Sequence, residues 1–101
     1  MKQEPKRQFA KQGDDPGLPM MKIISQAKAT VAEMTGLPID AIVQCQRVEN
    51  LNWGVSVDVI EAPARIGDND LLATYCVEMT PAGDMQAFSR TRRYHREDRD
   101  A

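Results

Sequence analysis

The chain has 101 residues, with 13 basic and 15 acidic side chains and a formal net charge of -2. That length fits one small domain with a modest core, and the charge balance gives no overall pull toward DNA, RNA or an anionic membrane. The aromatic residues Phe9, Trp53, Tyr75, Phe88 and Tyr94 are too few for a base-stacking RNA platform, and two cysteines outside any CxxC spacing beside a single histidine offer no zinc site.

Residues 1–18, MKQEPKRQFAKQGDDPGL, combine Lys, Gln, Asp, Gly and Pro with one aromatic. Such a segment cannot bury enough apolar surface to offset its ordering entropy. We expect a disordered tail, the alternative being an arm that orders on a partner. It holds no apolar run of signal-peptide length, and no stretch of the chain approaches the roughly 18 apolar residues that span a bilayer. The expectation is a cytoplasmic protein with reduced Cys45 and Cys76, a disulfide between them being the other possibility.

From residue 20 the pattern becomes helical. Met20, Ile23, Ile24, Ala27, Val31 and Met34 recur on one face. Pro19 suits a first turn, Gly36 suits a left-handed C-terminal cap, and Pro38 prevents continuation. The spacing predicts a helix over about 20–35.

The rest reads as strand. Segment 41–50 is rich in β-branched residues and ends in the turn former Asn50. Segment 52–62 alternates, with Trp53, Val55, Val57 and Val59 on one side and Ser56, Asp58 and Ile60 on the other. A short polar turn between them implies an antiparallel hairpin. After a loop at 62–70, segment 71–80 places Leu71, Ala73, Tyr75, Val77 and Met79 together. PAGD (81–84) is a turn by composition, and 85–96 is the last strand. The predicted fold is α+β: one N-terminal amphipathic helix packed on a four-stranded antiparallel β-meander, spanning 19–96, with a charged C-terminal tail at 97–101. The helix should cover the valine-rich face.

The last strand carries SRTRRYHRE (89–97), with four arginines and the chain's only histidine. Alternation puts Phe88, Arg90, Arg92, Tyr94 and Arg96 on one face, and we expect that face to be the open one, because buried arginines need partners. A β-bulge near Ser89 would reverse the alternation partway along. Asp58 and Glu78 should share this face and pair with the arginines. Three readings follow. The face is a solvated charge array; or it is a protein-docking surface formed by Asp58, Glu78, Phe88, Arg90, Arg92, Tyr94 and Arg96, since Arg and Tyr favour interface hot spots; or Arg90, Arg92, Arg93 and Arg96 grip phosphates in a nucleic-acid-binding regulator, a reading undercut by the neighbouring acids.

No catalytic constellation is evident. His95 stands among arginines, Ser89 and Thr91 lack a nucleophile-elbow context, and GDND (67–70) lacks calcium-loop spacing. Cys76 has no assured activating cation, and there is no Gly-rich phosphate loop. The expectation is a non-enzyme without cofactor or metal.

The helix ending MTG (34–36), followed by WGVSVDVIEAPARIGDNDLLATYCVEMTPAGDMQAFSRTRRYHR (53–96), resembles the gas vesicle protein O family. The resemblance is carried by Trp53, Glu61, Pro63, Arg65, Asp70, Leu71, Leu72, Ala73, Tyr75, Gly83, Arg92, Arg93 and Tyr94 in order and spacing, over roughly 20–96. Thr74 intervenes before Tyr75, and Cys76 stands where the family usually has an acidic residue. The resemblance implies an accessory protein for building gas vesicles, hollow protein shells that give buoyancy. It also implies other gas vesicle proteins, shell subunit or accessory, as partners. A shell subunit itself would need a large apolar gas-facing surface, which this composition does not suggest.

Overall fold

A computed structural model of the chain describes residues 17–100, with side chains through residue 98. Its elements are α1 (Met20–Thr35), β1 (Ile39–Arg47), β2 (Trp53–Ala62), β3 (Leu71–Met79) and β4 (Met85–His95). Short 3-10 turns lie at Glu49–Leu51 and Arg96–Asp100. The strands form one antiparallel sheet in the order β1-β2-β3-β4, so β1 and β4 are its edges. The α+β meander with one helix is therefore present. Residues 1–16 of the expected tail lie outside the described residues; at its end, the Leu18 amide donates to the Pro81 carbonyl at 2.8 Å and the Leu18 side chain packs on the core.

The helix begins at Pro19, which needs no amide donor there. It stops at Gly36, whose φ of 70° is the left-handed conformation that only glycine adopts without strain, and the Gly36 amide donates to Ala32 at 2.8 Å. The Thr35 hydroxyl closes the last turn by donating to the Val31 carbonyl at 2.7 Å and accepting the Leu37 amide at 3.1 Å. The buried stripe is narrower than the sequence suggests: Ile23, Ala27 and Val31 are fully buried, while Met20 and Met34 at the helix ends are exposed. Ala27 sits at the centre of that stripe, where a small side chain lets the helix approach the sheet.

The stripe meets Trp53, Val55, Val57, Val59, Ala73, Val77 and Met79, all buried in one cluster. These are the residues alternation assigns to the covered face; Leu71 and Tyr75 on the same face are only half-buried. The helix packs on β1, β2 and β3. β1 ends at Arg47, three residues earlier than expected, because Asn50 and Leu51 both take positive φ (62° and 64°) in a tight hairpin turn. That handedness matches the twist of the paired strands.

Candidate functional site

β4 is an irregular strand, and its irregularity decides which face each side chain reaches. Cross-strand partners share a face, and β4 pairs with β3 as Met85↔Met79, Ala87↔Glu78, Phe88↔Val77, Ser89↔Cys76, Arg90↔Tyr75, Arg92↔Thr74, Arg93↔Ala73, Tyr94↔Leu72 and His95↔Leu71. Gln86 and Thr91 are the extra residues, each inserted as a bulge. Every residue beyond Thr91 is turned over relative to simple alternation.

The expected single face of Phe88, Arg90, Arg92 and Tyr94 is therefore corrected. Phe88 and Arg90 lie on the helix side; Arg92 and Tyr94 lie on the opposite side. The physical reason is that Phe88 and Tyr94 are six residues apart and would share a face in a regular strand, yet they have different destinations. Phe88 packs against the core and stacks on Tyr75, with ring centroids 5.1 Å apart. Tyr94 reaches across β3 to donate its hydroxyl to Asp58 Oδ2 on β2. One bulge serves both.

On the side away from the helix, Asp58 is fully buried and Thr74 nearly so. This corrects the expectation of an open carboxylate beside the arginines: Asp58 accepts from the Thr74 hydroxyl at 2.5 Å and from Tyr94. Leu72 is also fully buried; it is the cross-strand partner of Tyr94, on the face that carries the Tyr94 ring. Exposed Arg92 lies over that ring, 4.1 Å from its centroid. A depression of about 250 Å³ lined by Ala41, Ile42, Val43, Asp58, Arg92 and Tyr94 opens beside it. Glu78, the other expected carboxylate, accepts from the buried Asn52 amide at 2.8 Å and bonds to no arginine among the contacts described.

On the helix side, Arg93 Nε lies 2.8 Å from Glu61 Oε1 and Arg90 Nη1 lies 3.7 Å from Glu61 Oε2. Two guanidiniums share one carboxylate, and the arginine side chains remain 49% and 47% exposed. Sequence reasoning did not bring Glu61 into this group. It sits at the irregular end of β2, between the paired residues Ile60 and Ala62, where alternation gives no warning.

Arg96 lies at the start of the terminal turn, off the strand face expected for it. Its Nη2 donates to Asp40 Oδ1 and Asp70 Oδ2, each at 2.9 Å, and its amide donates to the Asp70 carbonyl at 2.8 Å. The Glu97 amide donates to Asn69 Oδ1 at 2.9 Å. Arg96 thus clips the chain's end and the 62–70 loop to the start of β1. Asp70 also accepts the Ala64 amide at 2.7 Å. That bond first, and then the Arg96 guanidinium, hold its carboxyl below the usual aspartate range. Hydrogen bonds to Asp40 and Asp70 make Arg96 still harder to deprotonate.

Among the described residues no three His, Cys, Asp or Glu side chains cluster in a way that would hold a metal ion, and no helix is long and apolar enough to cross a membrane. Cys45 and Cys76 are both free thiols, and burial pushes the Cys45 thiol upward. Along β4 stand half-exposed guanidiniums, two aromatic residues and a sheet edge.

Residues 6–100 match the family model described as Gas vesicle synthesis protein GvpO. The chain is also 36% identical over 77 residues to Gas vesicle protein O of Streptomyces sp. (strain CB03234), an alignment covering 75% of this chain and 59% of that relative. No solved structure matches. With nearly all of its length matched by the family model, the chain belongs to the family of the gas vesicle synthesis protein GvpO.

Proposed function

We propose that this protein is a non-enzymatic accessory factor in gas vesicle assembly, acting in the cytoplasm on nascent vesicles by binding other gas vesicle proteins, shell subunit or accessory. The observation that carries this reading is β4. It is an edge strand with one side of its backbone unpaired within the sheet, and it presents Arg90 and Arg93 on one face and Arg92 on the other. Sheet edges recruit partners by strand addition or side-chain docking, and half-exposed arginines with adjacent aromatic rings are the residue types that anchor interfaces. The family name supplies the process, and the Streptomyces relative carries the same designation.

Of the seven residues first assigned to the surface, Asp58 and Arg96 act from within, the first orienting Tyr94 and the second clipping the loop. Glu78 is engaged by the Asn52 side-chain amide, and Arg93 joins the set beside Glu61; the proposed surface residues are Phe88, Arg90, Arg92, Arg93 and Tyr94. The test is co-expression of the tagged chain with the other proteins of a gas vesicle gene cluster, followed by affinity purification. Recovery of at least one of them by the wild type, and its loss on combined Arg90→Ala, Arg92→Ala and Arg93→Ala substitution, is expected. Equal recovery by that variant would rule out β4 as the surface. A binding isotherm with DNA or RNA that weakens steeply with salt would favour the regulator reading instead.

A further inference from the structure

The sheet is wider than the helix that covers it. Strands lie ~4.8 Å apart, so β4 runs ~10 Å from β2, and a helix is itself ~10 Å across. α1 packs chiefly on β1, β2 and β3, and on the helix-side face of β4 Met85, Arg90, Arg93 and His95 stay exposed. Two packed helices sit 8–10 Å apart, so the space over β4 is the place a second helix would occupy beside the first.

That strip has a defined chemistry. At one end lie exposed Met85 and the half-buried Phe88, stacked on Tyr75. At the other lie Arg90 and Arg93, which among the described residues share the single Glu61 carboxylate, two positive charges against one negative. His95 follows on the same face and is exposed. From Met79 to Ala73, the β3 partners of Met85 and Arg93, the strip spans seven residues. This corresponds to ~20 Å of strand, or about four turns of helix.

We infer that this strip is the seat of an amphipathic helix from another protein, apolar toward Met85 and Phe88 and carrying carboxylates over Arg90 and Arg93. A second copy of this chain does not supply it from the described residues, because the apolar stripe of α1 is spent on its own core at Ile23, Ala27 and Val31. Charge selects the occupant: a basic helix would meet two guanidiniums, whereas an acidic one completes the ion pairing that Glu61 begins. The inference rests on the docking reading above and narrows it to one face of β4 and one class of partner.

The test uses the full chain, labelled so that arginine Nε–H and methionine methyl signals are resolved by NMR. The probes are two synthetic 18-residue helical peptides of Leu and Ala, identical except for glutamates or lysines at one end. The acidic peptide is expected to shift Arg90, Arg93 and Met85 saturably while leaving Arg92, on the other face, unmoved. Arg90→Glu with Arg93→Glu should weaken this at least about tenfold, and Arg92→Glu should not. The inference is overturned if the lysine peptide does as well, if Arg92 moves instead, or if nothing moves up to about 1 mM peptide. It is also overturned if the chain self-associates through these residues. Co-purification separates the two levels. Partner recovery that survives Arg90→Glu with Arg93→Glu sinks the helix seat and leaves the docking reading standing. No recovery by the wild type sinks the docking reading itself.

Discussion

The buried carboxylate on β2 gives the sharpest prediction about what holds β4 in place. Asp58 is fully buried and accepts from Tyr94 and Thr74. Tyr94→Phe keeps the ring beneath Arg92 and removes the hydroxyl donor. A buried acceptor that loses a hydroxyl partner loses about 2 kcal/mol. In a domain of this size that lowers Tm by roughly 10 °C. Asp58→Asn takes the carboxyl acceptor away, so adding Tyr94→Phe to Asp58→Asn should cost only about 0.5 kcal/mol more. The double-mutant coupling is then about 1.5 kcal/mol. Urea denaturation of the four proteins, followed by circular dichroism, measures it. If Tyr94→Phe costs the same in both backgrounds, the bond to Asp58 carries no stability.

Other consequences are simpler. Met79 is fully buried in the core cluster, so Met79→Ala should cost about 3 kcal/mol, read from the urea midpoint. Gly36→Ala meets no neighbouring atom but is forced to keep φ at 70°, and should cost about 1 kcal/mol, read the same way. Asp70 has a depressed folded pKa, so its contribution to stability is fully present above the ordinary aspartate value and is lost as pH falls through the lower folded one. Acid titration of the Ala64 amide signal should show this step, and Asp70→Asn should abolish it. Reversal of Arg92 should leave the helix-side arginine signals of Arg90 and Arg93 in place, because the Thr91 bulge puts it on the other face.

Most of the fold was legible because its signals are local and periodic. Pro19, Gly36 and Pro38 bracket α1, and the run Trp53, Val55, Val57, Val59 declares both a strand and its buried side. The site was legible in residue type and misassigned in geometry. A bulge is one inserted residue without a sequence mark of its own, and Thr91 looks like any strand threonine. What Thr91 does becomes clear only from the destinations of Phe88 and Tyr94, which lie on different strands' neighbours. Asp58 misled for a related reason. An acidic residue on the outer parity of a strand reads as solvated, and its burial depends on a tyrosine 36 residues later reaching across β3. Arg96 likewise reads as the end of a charge run, while its two carboxylate partners lie 56 and 26 residues away. Long-range polar pairing carries no periodicity to read.

The most direct test asks whether β4, rather than positive charge in general, is what the protein works with. Cells that make gas vesicles and lack their own copy are supplied with one of two charge-reversed forms, each first shown to fold by circular dichroism. One carries Arg90→Glu and Arg93→Glu on β4; the other carries Lys22→Glu and Lys28→Glu on the exposed side of α1. The account predicts floating, vesicle-filled cells with the helix variant and none with the β4 variant. Vesicles formed equally well with both would contradict it.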